Sequence, residues 1–169
     1  MVNESDVASL ICAKLASFGA VQVGSFPIAV NVKGSDIDII CTFTNQSSFI
    51  GQLETLFAGY HGFYLNTKSI RGENCVVCRF VTESIPVEVF GQTTPIHQQY
   101  AWQHLQVEHR LLTLGGVNFR NLVMSFRDRG MKTEQAFAHA LHLTGDPYED
   151  LLAMFNEPDH SLKQMIAEI

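Results

Sequence analysis

Ser35-Asp36-Ile37-Asp38-Ile39-Ile40 closes a stretch that begins at Val23-Gly24-Ser25-Phe26-Pro27 and decides how the chain is read. Polar and apolar residues alternate over Ser35 to Ile40, the pattern of a half-buried strand. Side chains two apart on a strand share a face. Asp36 and Asp38 therefore project together, while Ile37 and Ile39 enter the core. Neighbouring carboxylates repel, and a fold keeps such a pair mainly when a cation lies between them. Mg²⁺ suits the position, because it takes oxygen ligands from one or two carboxylates and from substrate phosphates.

Working outward, Ala20 to Gly24 reads as a short strand delivering Gly24-Ser25. Glycine lets a backbone approach a phosphate, and the serine adds amide and hydroxyl donors. Phe26 to Gly34 reads either as extended or as a short helix opened by Pro27. Ser5 to Phe18 reads as a helix stopped by Gly19, with Val7, Leu10, Ile11, Leu15 and Phe18 at helical spacing. Asn45 to Phe57 reads as a second helix, capped near Asn45. Three strand-like runs follow: Phe63–Ile70, Cys75–Val81 and Pro86–Phe90. Arg71-Gly72-Glu73-Asn74 is a hairpin turn and Glu83-Ser84 the next.

Within Pro86–Phe90, Glu88 stands alone between Val87 and Val89. A lone acid in such a strand is costly unless it faces solvent, a counter-charge or a metal. Were its strand beside that of Asp36, three acids would converge and hold two ions about 4 Å apart, a clamp for in-line displacement. The ordinary alternatives for Glu88 are a solvated edge residue and an ion-pair partner of Arg79 or Arg71.

After Gly91 the chain turns helical. The spacing predicts helices over about Ile96–Leu114 (stopped by Gly115-Gly116), Phe119–Arg129, Thr133–Leu143, Pro147–Phe155 and Ser161–Ile169. The expected organisation is an α/β region over 1–92 and a helical region over 93–169 packed on it. On the long helix, His104 and Glu108 share a face and read as a solvated pair, or as lining for the site's mouth. Trp102 and Tyr100 read as packing of that helix on the sheet. His139 and His142 read as helix surface. Arg110, Arg120, Arg127 and Arg129 read as mostly solvated, with one available to reach a phosphate.

The chain has 169 residues, a formal charge of −6 and four cysteines. That length suits one domain with a helical extension. The acidic balance argues against an extended nucleic-acid surface. No apolar run approaches the ~18 residues of a membrane span, and no signal peptide is evident, so a cytoplasmic location is expected. Cys75 and Cys78 sit three apart on a strand, on opposite faces, which favours packing over zinc or redox chemistry.

Gly24-Ser25, then Asp36-x-Asp38 on a strand, then the later strand acid Glu88, together resemble the polymerase-β-type nucleotidyltransferase superfamily, most nearly its minimal members. The whole chain is also similar to a family of bacterial proteins known as a domain of unknown function. That likeness runs through Gly24–Ile28, Gly34–Ile39, Lys132–Ala138 and Gly145–Tyr148. The resemblance implies a mixed sheet flanked by helices, and transfer of a nucleoside monophosphate from a nucleoside triphosphate to a hydroxyl of a small molecule or protein, with two Mg²⁺. It places Asp36, Asp38 and Glu88 on the metals, with Glu88 also favouring deprotonation of the acceptor. It places Gly24 and Ser25 on the distal phosphates. Many minimal relatives carry an Ala-Arg-Gly run where this chain has Phe26-Pro27-Ile28-Ala29-Val30, and the nearest cation here is Lys33. That departure supports an alternative: a catalytically silent binding module, acting as a nucleotide sensor or an antitoxin-like protein partner.

Overall fold

The structure is a computed structural model and describes residues 3–169; the first two positions of the expected 1–92 region lie outside them. The chain forms two compact units, Met1–Val23 with Gly34–Gln99, and Gly24–Lys33 with Tyr100–Ile169.

The first unit is built on a five-stranded sheet in the order β1-β2-β5-β4-β3. Its strands are β1 (Val21–Val23), β2 (Ile37–Thr42), β3 (His61–Ile70), β4 (Glu73–Thr82) and β5 (Ile85–Gln92). β2 and β5 run parallel; the other pairs are antiparallel, so the sheet is mixed as expected. Both hairpins turn in two residues, Arg71-Gly72 and Glu83-Ser84, all four at positive φ. That twist matches the twist of the strands it joins. Asp36 precedes β2 rather than opening it, yet the burial alternation runs through it: Asp36 is exposed, Ile37 and Ile39 are buried and Asp38 is half-buried.

Two helices serve the sheet, α1 (Glu4–Lys14) and α2 (Gln46–Phe57). Asn3 and Asn45 cap them, each accepting a backbone N–H at 2.8 Å (from Asp6 and Ser48). A 3₁₀ turn, Ala16–Phe18, extends the first helix to Gly19, whose φ of 60° ends it. Val7, Ile11 and Leu15 are buried as expected, but Leu10 is 57% exposed, because it falls off the narrow buried stripe. Phe57 stacks on Phe80 at 4.5 Å, and Phe43 on Phe49 at 5.2 Å. Phe49 lies so close to Gly91 that a Cβ there would sit 2.2 Å from its ring. Gly91 and Phe80 share one face of the sheet with Ile37, Ile39, Val87 and Val89, so this is the face the helices cover.

The second unit holds α3 (Tyr100–Arg127), α4 (Thr133–Ala140), α5 (Pro147–Ala153) and α6 (Asp159–Ala167). α3 starts later than the Ile96 expected, because Ile96–Gln98 forms a separate 3₁₀ turn. Gly116 breaks α3, with φ 63° and ψ −156°. Asp146 caps α5, accepting from the amides of Tyr148 and Glu149. The segment Phe26–Gly34 is neither extended nor helical. It is a succession of turns closed by Val30 N–H to the Ser25 carbonyl at 3.1 Å, with Ala29 at φ 55°. Arg120 donates to the carbonyls of Ile28 and Ala29, and Arg127 to those of Val30 and Met131. Arg110 holds Asp159 and the carbonyls of Phe155 and Glu157. These three arginines therefore fasten the helical unit rather than lying solvated.

Among the described residues, no helix is long and apolar enough to cross a membrane.

Candidate functional site

The acids on the sheet fall into one row. Asp38 on β2 is opposite Glu88 on β5, and Glu88 is opposite Arg79 on β4. Val23 on β1 continues the row beyond Asp38, and Tyr64 on β3 beyond Arg79. Alternation puts these side chains on the face that α1 and α2 do not cover. Neighbouring strands lie about 4.8 Å apart, so Asp38 and Glu88 leave the backbone one strand spacing from each other. Glu88 lies on a central strand, which excludes its reading as an edge residue.

Glu88 has a counter-charge. Nε and a terminal nitrogen of Arg79 both donate to Glu88 Oε2, each at 2.6 Å. The Arg79 side chain is 54% exposed and that of Glu88 26%. The hydrogen bond and charge of Glu88 raise the Arg79 pKa, and Asp36 adds to the effect, so this acid too lies within electrostatic reach of the guanidinium. Among the described residues, no three His, Cys, Asp or Glu side chains gather as a ready-made metal group. The donor set nevertheless fits Mg²⁺ in kind: all the donors are hard carboxylate oxygens, two of them on adjacent strands.

Gly24 follows directly after Val23, at φ 76°. Ser25 is buried at 5% exposure. Both belong to the second unit, as does the exposed Lys33.

Other candidates resolve as structure. All four cysteines are free, and burial pushes Cys41 and Cys78 up to about 12, leaving inert thiols. Trp102 packs edge-on against Phe155 at 6.0 Å within the helical unit. His139 is exposed against Phe126. His104 and Glu108 are not a solvated pair: both are buried, and the His104 ring is 2.9 Å from the carbonyl of Tyr148 through Nε2. Arg79 is the site residue that sequence reasoning undervalued, naming it only as one ion-pair option. The available signal was a lone cation inside the apolar run Cys75–Val81.

Residues 7–154 match a family described as a domain of unknown function, DUF4269, and the chain belongs to that family. No curated protein matches. Among solved structures, the chain is similar to the Cid1 poly(U) polymerase with MgGTP bound, at TM-score 0.56 and 13% identity, covering 82% of this chain and 47% of that one. It is similar to a cytoplasmic RNA terminal U-transferase at TM-score 0.55 and 12% identity, covering 82% and 46%. It is also similar to the GLD-2/RNP-8 complex at TM-score 0.53 and 10% identity, covering 96% and 71%. The chain thus spans about half the length of these two polymerases. At these identities the likeness defines the fold, that of the nucleotidyltransferases.

Proposed function

We propose that the chain is a metal-dependent nucleotidyltransferase, which moves a nucleoside monophosphate from a nucleoside triphosphate to a hydroxyl of a small molecule or protein. The observation that carries this reading is the register pairing of Asp38 with Glu88 on parallel strands, with Asp36 two residues upstream. Asp36 and Asp38 would hold two Mg²⁺, and Glu88 would hold one of them. A bound pair of ions supplies charge stabilisation to attacking and leaving oxygens. Glu88 also favours deprotonation of the acceptor hydroxyl. Gly24, Ser25 and Lys33 stay in the proposal on their sequence position just after β1 and before Asp36, as holders of the distal phosphates. The charge of −6 supports a small or protein acceptor over a long nucleic acid. A cytoplasmic site of action goes with this reading.

Calorimetry with Mg²⁺ and each of the four nucleoside triphosphates tests it. Wild type should bind at least one of them, and Asp36→Ala/Asp38→Ala should bind none. Identical behaviour of the two proteins would sink the assignment.

The hold of Arg79 on Glu88 favours a second reading: a silent member of the fold that senses a nucleotide or serves a protein partner. Saturable triphosphate binding with no turnover on any acceptor would select it.

A further inference from the structure

The row Asp38–Glu88–Arg79 contains its own cation, and this bears on a gap in the sequence. Where many minimal members of the superfamily it resembles carry an Ala-Arg-Gly run, this chain has Phe26-Pro27-Ile28-Ala29-Val30, with no arginine. Three arginines of the helical unit are already engaged: Arg110, Arg120 and Arg127 are held by backbone carbonyls, Arg110 also by Asp159, while Arg129 is exposed over the Phe126 ring. Arg79 differs from them. Its side chain is more than half exposed, and its guanidinium lies on one carboxylate oxygen of Glu88 rather than on backbone carbonyls.

We propose that Arg79 is an exchangeable cation: it holds Glu88 while no divalent ion is bound, and passes to the polyphosphate of the substrate when Glu88 turns to the metal. The proposal rests on the metal-dependent reading above and adds a residue to it.

Three arguments carry it. First, the two cations compete for one carboxylate. Both nitrogens of Arg79 converge on Oε2, so an ion that takes this oxygen displaces them, and an ion that takes Oε1 brings a second positive charge beside the guanidinium and weakens its hold. Second, exchange is cheap. An exposed ion pair is worth at most about 1 kcal/mol, so a divalent ion or a polyphosphate readily displaces it. Third, the released group suits the new partner. The planar fork that matches a carboxylate also matches phosphate oxygens. A guanidinium left beside a divalent ion is repelled unless phosphate charge arrives with it. Arg79 thereby couples metal entry to substrate entry.

The test uses the full chain and two probes. Mn²⁺ alone is titrated by the loss of its free electron paramagnetic resonance signal. Inorganic tripolyphosphate is titrated by calorimetry in EDTA, where no metal contributes. Arg79→Met should bind Mn²⁺ two- to about fivefold more tightly than wild type, the size of one exposed competitor removed. It should bind tripolyphosphate at least about fivefold more weakly. Glu88→Gln frees the guanidinium and should bind metal-free tripolyphosphate more tightly than wild type. Arg79→Lys keeps the charge without the fork; it should shift both affinities in the same directions by less, and it serves if Arg79→Met fails to fold. A purely structural ion pair would change the melting temperature in these variants and neither affinity, which overturns the proposal. Wild type that binds Mn²⁺ through Asp36 and Asp38, with Arg79→Met binding it no better, overturns the exchange and leaves the metal reading standing. Wild type and Arg79→Met that both ignore Mn²⁺ overturn both.

Discussion

Asp38 and Glu88 face each other across the parallel strands β2 and β5, and on its other side Glu88 is held by Arg79. Parallel pairing of strands so far apart in sequence brings an acid from the first half of the sheet unit to one from its end. The antiparallel hairpin β4–β5 then supplies the counter-charge. One row therefore contains two of the acids proposed to hold a metal and the cation that pairs with one of them.

Asp38 is the member with an acid beside it in the row and another two residues upstream. Asp38→Asn should reduce Mn²⁺ uptake by more than tenfold, since even outer-shell changes at metal sites cost about 10–100-fold. Parallel Mn²⁺ titration and melting curves check this. A fall in melting temperature with metal uptake unchanged would make Asp38 a structural residue.

Gly91 is small for a steric reason. Its φ is ordinary, yet a Cβ would sit 2.2 Å from Cε1 and 2.7 Å from Cζ of Phe49, a ring fixed between Phe18 and Phe43. Gly91→Ala should destabilise the sheet unit by about 1–3 kcal/mol, the range for overpacking a filled core. Phe49→Leu costs stability alone, but the pair together should be more stable than the sum of the two losses implies. Denaturant melts of the four proteins in the cycle read the coupling; strict additivity would mean that the two sites do not compete for space.

Much of this was legible beforehand. Strong local patterns survive folding: the Asn45 cap, the apolar stripe of Phe49, Leu53 and Phe57, and the alternation through Ile37 and Ile39 all appear as read. Position along the chain misled where long-range packing decides. Phe26–Gly34 carries both strand and helix signals, and it adopts turns because Arg120 and Arg127, about a hundred residues later, take its carbonyls. His104 and Glu108 look solvated because polar pairs at that spacing usually are, and no local pattern tells that α4 and α5 close over them. Arg79 was visible as a residue, but its role depends on a strand pairing that only the sheet order fixes.

Glu83-Ser84 makes a two-residue turn from residues poorly suited to it. Both sit at positive φ, 50° and 65°, where a side chain costs about 1–2 kcal/mol and where Asn-Gly is favoured. Glu83→Asn/Ser84→Gly should stabilise the protein by about 1 kcal/mol net of the added flexibility of glycine. The expected rise in melting temperature is about 2–4 °C for a chain of this size. No change, or a fall, would show that the wild-type side chains make contacts there that offset the strain.

Glu108 gives the helical unit a pH dependence. It is 2% exposed, and among the described residues its Oε1 has no hydrogen-bond partner. Burial holds its pKa well above the usual carboxylate range, Glu134 on α4 adds to this, and Arg127 on α3 opposes it. The folded protein therefore keeps a proton on Glu108 that the unfolded chain releases near pH 4.3. The contribution of this group to stability is complete below that pH and is lost progressively as the pH rises toward the raised folded value, the reverse of an ion-paired carboxylate. Glu108→Gln is neutral at every pH and removes that slope. Its melting temperature should match wild type near pH 4.5 and exceed it by about 2–4 °C at pH 8 for each kcal/mol relieved. A variant that is less stable than wild type at pH 8 and equal to it at pH 4.5 would mean that Glu108 is ionised in the fold and held by Arg127.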